Sequence, residues 1–186
     1  QSDGRFFGVL YQLHVNKQMV GLWDFVTNFG CRETHSGVGD LVEEHSCHYF
    51  SGKGYATQSQ LRNYDPRYYA VSMEFRTFDQ NALLVLVSNS ATGQYFALQL
   101  RSGRVNFIIN YGPGSRIELT SKNTYNSGAW VKIEAGRADR SGQETGVLRI
   151  TFNGLREDFV DSLPGQATRK LDLQDSRLYF GGAPPD

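Results

Sequence analysis

Residues 71 to 109 read VSMEFRTFDQNALLVLVSNSATGQYFALQLRSGRVNFII and contain four strand-like runs separated by turn residues. In the first run Val71, Met73 and Phe75 alternate with polar residues, a period of two that puts one face of a strand in a core and the other toward water. The next three runs are more apolar, and short Gly-bearing turns join them. This pattern predicts an antiparallel β-meander.

Strand-like runs of alternating or apolar residues continue on both sides of this stretch. They lie at residues 5–25, 48–58, 116–121, 129–137, 146–154 and 177–182. Residues 138 to 146 are charged and predict a loop, whereas Asn153-Gly154 is the strongest hairpin-turn signal in the chain and is followed by a polar stretch. No run has a convincing helical period. The sequence therefore predicts an all-β chain.

The totals describe an ordinary globular chain. Its 186 residues fit one domain, and the 39% that are hydrophobic suffice for a sandwich core. Lys and Arg number 19 and so do Asp and Glu, so no global field attracts nucleic acid or a membrane surface. No apolar run approaches the ~20 residues that cross a bilayer, which argues against membrane insertion. Because Gln1 opens no signal-like segment, we expect a piece of a longer protein.

Cys31 and Cys47 are the two cysteines of the chain. An even pair fits a secreted protein with one disulfide, which would add up to ~3 kcal/mol of stability for a loop of this length. His35, His45 and His48 lie beside the cysteines, so free thiols and a zinc site are alternatives. The irregular spacing lacks the tight ligand pairs of structural zinc sites and favours the disulfide.

Carboxylate pairs are the main sequence signal for hydrolase chemistry, since a glycosidase needs two acids roughly 5 to 9 Å apart. Glu43-Glu44 fall in a polar stretch and Glu157-Asp158 follow the Asn-Gly turn, so neither pair has strand spacing toward a cleft. The chain also lacks a Gly-x-Ser-x-Gly elbow and a phosphate-binding loop. We therefore expect no enzymatic activity, with a jelly-roll hydrolase as an alternative.

Six motifs are each weak evidence alone but form a specific set when they are taken in order. They are FSGKGYA (50–56), VSMEFRTF (71–78), ALLVLV (82–87), YFALQLRSGRV (95–105), SGAWVKI (127–133) and LYFGG (178–182). In order and spacing these motifs resemble the laminin G-like domain. The resemblance implies an antiparallel β-sandwich of the jelly-roll, concanavalin-like type, formed by residues 48 to 186.

The N-terminal residues carry a second part of the resemblance. GLWDF (21–25), followed by a cysteine-bearing linker or loop at residues 31 to 47, is similar to the junction of the first and second G-like modules of laminin α chains. A G-like domain normally ends in a further hairpin, and residues 1 to 30 hold its counterpart. That hairpin is either the tail of a preceding module or the piece that completes this sandwich. Completion is favoured, because a sandwich without it would expose a large apolar surface.

Several G-like domains bind calcium at the sandwich rim, and the resemblance implies where that site would lie. It would combine an Asp before the YFALQL strand, carbonyls near a Tyr-Gly turn and an Asp before the last hairpin. Gly93-Gln94 supplies no carboxylate at the first position, whereas Tyr111, Gly112 and Asp3 could fill the others. Calcium prefers several oxygens that include carboxylates, so we expect no bound metal and no cofactor.

The resemblance also implies a function. We expect a secreted, non-enzymatic module of the extracellular matrix, of the basement-membrane kind. It would mediate cell adhesion by binding cell-surface receptors or sulfated glycans, beside neighbouring G-like modules of its parent chain. Arg101, Arg104 and Arg116 are the candidate glycan-binding residues, as basic residues on turns and exposed strand faces. A lectin-like module with a glycan site at the rim is the alternative.

Overall fold

The computed structural model describes residues 6–15, 18–19, 47–52, 54–59, 70–140, 143–163, 171–173 and 176–184. Within these ranges the chain forms antiparallel strands joined by turns. The strands are β1 (Phe7–Val15), β2 (Gln18–Met19), β3 (Cys47–Ser51), β4 (Ala56–Ser59), β5 (Ala70–Thr77), β6 (Ala82–Asn89), β7 (Gln94–Arg101), β8 (Arg104–Asn110), β9 (Arg116–Thr124), β10 (Val131–Arg140), β11 (Gln143–Phe152), β12 (Leu155–Ser162) and β13 (Arg177–Phe180).

The strands build two sheets that pack face to face. The first has the order β12-β11-β10-β5-β1-β2, with β3 also paired to β1, and the second has the order β4-β13-β6-β7-β8-β9. Met73 and Phe75 of the first sheet share one buried core with Phe107 and Ile109 of the second. The period of two read from the sequence thus defines the inward face of β5. The predicted antiparallel β-sandwich is confirmed.

Two tight hairpin turns follow the chemistry that their residues predict. Asn153 and Gly154 have φ values of 49° and 77° between β11 and β12. Ser102 and Gly103 have φ values of 51° and 75° between β7 and β8. Positive φ at both central residues is the geometry of a type I′ turn, whose twist matches that of the strands. The predicted Asn-Gly turn is confirmed.

Strand β1 lies inside the first sheet, between β5 on one side and β3 on the other. The Phe6 N–H donates to the Gly181 carbonyl at 2.8 Å. The Phe6 ring packs edge-on against Phe50 and Phe75, with ring centroids 5.9 and 6.5 Å apart. The N-terminal segment therefore supplies a strand to this sandwich. The division into 1–30, 31–47 and 48–186 stays a prediction, because residues 20–46 lie outside the described ranges.

The predicted four-strand meander is wrong in its first strand. β5 belongs to the first sheet, and the meander of the second sheet is β6-β7-β8-β9. Residues 78–81 cross between the sheets, where the Gln80 carbonyl accepts from Gly103 N at 2.7 Å and Asn81 Oδ1 accepts from Ser102 N at 3.0 Å. Alternation identifies the buried face of a strand but not the sheet that contains it, since both sheets bury one face.

The charged loop predicted at residues 138 to 146 is also wrong, because β10 continues to Arg140 and β11 begins at Gln143. Arg137 and Glu144 look solvated in the sequence but are 5% and 3% exposed, paired with each other inside the hairpin. The polar stretch after Asn153-Gly154 is strand β12, which forms an edge of the first sheet with its residues exposed or half-buried. An edge strand needs few apolar residues, which is why its sequence resembles a loop.

Candidate functional site

The three candidate arginines lie on the outward side of the second sheet. Arg101 ends β7 and Arg104 begins β8, and the register places them directly opposite each other. Arg116 begins β9 opposite Asn110, at the other end of β8. All three arginines are exposed, as the sequence predicts for the ends of strands that flank turns.

Glu118 connects two of these arginines. Its Oε2 accepts a hydrogen bond from Arg116 Nη2 at 2.7 Å, and its Oε1 lies 3.5 Å from Arg101 Nη1. Arg104 instead donates from Nη1 to the Ser121 carbonyl at 3.2 Å. We call Arg101, Arg104, Arg116 and Glu118 the arginine surface. Three positive charges and one negative charge give it a net charge of +2.

An amide network underneath holds Glu118 in place. Gln99 Nε2 donates to Asn106 Oδ1 at 2.8 Å, and Asn106 Nδ2 donates to Glu118 Oε1 at 2.9 Å and to Thr120 Oγ1 at 2.8 Å. Asn106 is 1% exposed, so its amide has little water to compete with these bonds. The guanidinium groups of Arg101 and Arg116 therefore meet a carboxylate whose position is fixed from below.

An irregularity in β9 sets the position of Arg104. The register between β8 and β9 shifts between Arg104 and Asn106, as at a β-bulge. Ser121 compensates for the lost ladder bond, because its Oγ accepts from the Val105 N–H at 2.9 Å and donates to the Asn123 carbonyl at 2.8 Å. The Ser121 carbonyl can then accept from Arg104. The bulge thus orients a side chain at the edge of the arginine surface.

On the outward side of the first sheet, in contrast to the arginine surface, each basic side chain in this group pairs with a carboxylate. Arg149 lies 2.9 Å from both Glu134 and Asp158, while Lys132 pairs with Glu134 at 3.6 Å and Arg156 with Asp158 at 2.8 Å. Hydrogen bonds from Arg149 lower the pKa of Glu134, and those from Arg156 and Arg149 lower the pKa of Asp158. Hydrogen bonds to Asp158 and Glu134 raise the pKa of Arg149. We call these paired residues, Lys132, Glu134, Arg149, Arg156 and Asp158, the ladder on the first sheet. Because each basic group in it faces an acid, the ladder serves as a control for the arginine surface.

The sandwich rim at the Asn110 end of β8 contains an open cleft with a volume of about 740 Å³. Its lining residues are Thr92, Gly93, Asn110, Gly112, Pro113, Gly114, Ser115 and Arg116. The turn is held by the Tyr111 N–H, which donates to the Ser115 carbonyl at 2.9 Å, and by Asn110 Nδ2, which lies 3.3 Å from the Gly93 carbonyl. Arg116 is the charged member of this lining, so the cleft suits polar ligands that are neutral or anionic.

Gln94, Tyr111 and Asp172 meet beside this cleft, where the resemblance implies calcium. Gln94 Nε2 donates to the Tyr111 carbonyl at 3.0 Å, and Gln94 Oε1 accepts from the Asp172 N–H. The carbonyl that a cation would use is thus bonded to an amide, and Gln94 brings no negative charge. The described residues here do not fit a calcium ion. The other two candidates, Gly112 and Asp3, respectively line the cleft and lie outside the described ranges.

A buried ion pair supports the rim from below. The side chains of Arg137 and Glu144 are 1% and 2% exposed, and the guanidinium donates two hydrogen bonds to the carboxylate. Tyr111 Oη also donates to Glu144 Oε2, at 3.1 Å. This arrangement connects the β10–β11 hairpin to the turn after β8. A buried carboxylate that accepts several charge-assisted bonds holds its donors in defined positions.

The carboxylates of Glu157 and Asp158 do not work as a pair. They are neighbours on β12, so their side chains point to opposite faces of the sheet. Glu157 Oε1 accepts from Asn123 Nδ2, whereas Asp158 pairs with arginines on the outward face. Burial and the neighbouring Glu157 carboxylate raise the pKa of Tyr125 to about 12. Glu43 and Glu44 lie outside the described ranges.

The predicted disulfide stays a prediction. Cys47 lies on β3 opposite Tyr11 of β1, and Cys31 falls outside the described ranges. Among the residues that the structure does describe, no group of three or more His, Cys, Asp or Glu side chains could hold a metal ion. The same ranges contain no helix with the length and apolar character that a membrane span requires.

Comparison with known proteins decides the family. The sequence profile of the laminin G domain matches residues 75–186. The chain belongs to the laminin G domain family. Laminin subunit alpha-1 of Mus musculus is 28% identical over 184 residues, which are 96% of this chain and 6% of that protein. Neurexin-2 of Rattus norvegicus is 28% identical over 62% of this chain and 7% of its own length.

A solved structure gives the same result at the level of the fold. The structure titled "Crystal structure of the LG1-3 region of the laminin alpha2 chain" superposes with a TM-score of 0.64 and 26% identity, over 76% of this chain and 28% of that one. The resemblance seen in the sequence is confirmed. Because this laminin G domain spans a small part of its relatives, its own surfaces must show what it can bind.

Sequence reasoning missed the groups that organise the surfaces of this laminin G domain. Glu118, Asn106 and Gln99 come from three different strands, and their contact depends on the register of β7, β8 and β9. Their alternation with buried residues was a usable signal, since polar residues two apart share the outward face. Arg137 and Glu144 are in phase with the buried residues of β10 and β11, but the loop predicted at residues 138 to 146 hid this signal.

Proposed function

We propose that this laminin G domain is a non-enzymatic, secreted module of an extracellular-matrix chain, and that it mediates cell adhesion by binding sulfated glycans on cell-surface receptors. The observation that carries the proposal is the grouping of Arg101, Arg104 and Arg116 on one exposed sheet surface with a net charge of +2. Similarity to laminin and neurexin chains supports the adhesive role. Neighbouring G-like modules in the parent chain are further partners.

The arginine surface has the chemistry that sulfate groups require. A guanidinium is planar and always charged, and it binds an anionic oxygen pair through two parallel N–H bonds. Glu118 holds Arg101 and Arg116 near each other in the absence of a ligand, so less side-chain entropy is lost on binding. An incoming sulfate would displace the Glu118 carboxylate from the guanidinium groups of Arg101 and Arg116, or would share those groups with it. The interaction is electrostatic and exposed, so it weakens as salt is added.

Changing Arg101, Arg104 and Arg116 together to Ala should remove retention on heparin. We expect binding at least roughly tenfold weaker, or ~1.4 kcal/mol, because the three cationic contacts are lost. The matched control changes Lys132, Arg149 and Arg156 to Ala, which removes the same charge from the ladder on the first sheet. The measurement is the salt concentration that elutes each variant from immobilised heparin.

The charge of Glu118 gives an independent readout of the same surface. Glu118→Gln raises the net charge of the arginine surface and should move elution to higher salt. The proposal is wrong if the arginine triple variant elutes with the unchanged protein, or if the control triple variant loses retention equally. In the second case net charge, and not this surface, would explain the binding.

The rim cleft supports a second candidate function, a lectin-like site. Its volume of about 740 Å³ is large enough for a sugar residue, and amide and backbone groups line it. The exposed Thr92 hydroxyl and the backbone groups of residues 112–114 offer hydrogen bonds without charge, which is the recognition chemistry of a neutral glycan. Binding of neutral glycans that is independent of salt would favour the cleft over the arginine surface.

A further inference from the structure

The position that β1 occupies is a narrow site with its own residue requirements. We call it the β1 lane; its walls are β5, β3 and the Phe180–Gly181 end of β13. Phe6 and Leu10 enter the core from this lane and are 0% exposed. The ladders of β5 and β3 run along both sides, so main-chain hydrogen bonds hold an incoming strand.

The lane requires a glycine between these two side chains. A Cβ on Gly8 would lie 2.3 Å from the Arg76 carbonyl oxygen of β5, a contact with backbone that cannot move aside. Position 181, at the end of β13, also requires glycine, because a Cβ there would lie 2.3 Å from the Phe50 ring. The lane thus selects the pattern Phe-x-Gly-x-Leu. Within the 186 residues, that pattern occurs at residues 6–10 alone.

Apart from its pairing with β2, the described contacts of β1 are made with residues 47 to 181, which follow β2 in the chain. They are the pairings with β3 and β5, the Phe6 bond to Gly181, and the packing of Phe6 on Phe50 and Phe75. A strand of the same sequence from another molecule would therefore meet the same binding site.

We propose that the β1 lane is a strand-binding site that accepts the β1–β2 segment of a second copy of this chain, so that two molecules can exchange strands. Exchange of an identical element forms no new kind of contact and is a low-cost route to a dimer. Its specificity comes from three residues of the incoming strand. Phe6 and Leu10 fill apolar pockets, and Gly8 passes close to the backbone of β5. The proposal concerns assembly and does not depend on glycan binding.

Complementation between two full-length variants tests this exchange. The donor-defective chain carries Phe6→Ala and Leu10→Ala, which leave the lane intact. The acceptor-defective chain carries Gly181→Val, which displaces the Phe50 ring that Phe6 packs against but leaves β1 unchanged. Refolded together from urea, the two chains should form a species with the mass of two chains. Because one sandwich in each pair is complete, its near-UV circular dichroism per chain should be about half that of the unchanged protein.

The decisive control adds Gly8→Val to the acceptor-defective chain, which should abolish complementation because the donated strand then clashes with Arg76. If the donor-defective chain still folds alone, the result to expect is a rise of its melting temperature toward that of the unchanged protein on mixing. A mixture that behaves as the sum of its two components overturns the proposal. Equal rescue by the Gly8→Val donor also overturns it, because the lane would then not be selective.

Discussion

A chain that lacks residues 1 to 26 should lose cooperative unfolding and bind hydrophobic dyes. The deletion removes Phe6 and Leu10 from the core, where both are 0% exposed. Burying a large side chain is worth about 1.5 to 3 kcal/mol each, and ordinary domains have a net stability of about 5 to 15 kcal/mol. The deletion also leaves the facing edges of β5 and β3 without partners, at the middle of a sheet. Together these losses are expected to exceed the net stability.

The measurement is near-UV circular dichroism combined with thermal unfolding. A matched pair of point variants separates loss of burial from loss of leucine as such. Leu10→Ala should destabilise by about 2 to 5 kcal/mol, whereas Leu155→Ala, at a leucine that is 76% exposed, should have little effect. A soluble fragment 27–186 that melts cooperatively would show that β1 is not required for the sandwich.

Separating the buried ion pair should be the most costly single change outside the apolar core. Glu144→Gln leaves the Arg137 guanidinium charged in a site where its side chain is 1% exposed. Removing one partner of a buried pair typically costs about 3 to 5 kcal/mol, because the remaining charge has lost both water and its counter-ion. Arg137→Met should be similarly destabilising, because Glu144 keeps the Tyr111 hydroxyl as a donor but loses both guanidinium hydrogen bonds.

The double variant Arg137→Met, Glu144→Leu distinguishes charge from packing. Two apolar side chains of similar volume remove the unpaired charge, so the double variant should be more stable than either single variant. Urea unfolding of the unchanged protein, Arg137→Met, Glu144→Leu and the double variant gives the coupling free energy. Costs that simply add would contradict the predicted coupling, because the two residues would then act independently. The expected coupling also predicts that the rim turn at Tyr111 loosens in the single variants.

The fold was predictable to the extent that period and turn chemistry determine it. Alternation in β5 identified Met73 and Phe75 as core residues, and Asn153-Gly154 marked a hairpin turn. The partition of strands between sheets was not predictable, because the link at residues 78–81 looks the same whether it closes a hairpin or crosses the core. Family resemblance supplied the sandwich that local patterns left open.

The candidate site was predictable in part for the same reason. Arg101 and Arg104 flank a two-residue turn, so their proximity follows from the sequence. The contact of Arg116 with Arg101 through Glu118 depends on two strand registers and on the shift between β8 and β9. Registers are set by core packing along whole strands, which no short motif encodes. The β10–β11 ion pair is likewise a tertiary feature.

Hydrogen exchange of the full-length protein tests most directly whether β1 completes this laminin G domain. If β1 completes the domain, amides of residues 8–11 exchange as slowly as those of β5 at residues 73–77, slower than an unstructured peptide by a factor on the order of a thousand or more. Such protection requires hydrogen bonds on both sides of β1 that open only when the domain unfolds. Exchange of residues 8–11 at the rate of an unstructured peptide, while β5 stays protected, would show that β1 does not complete the domain.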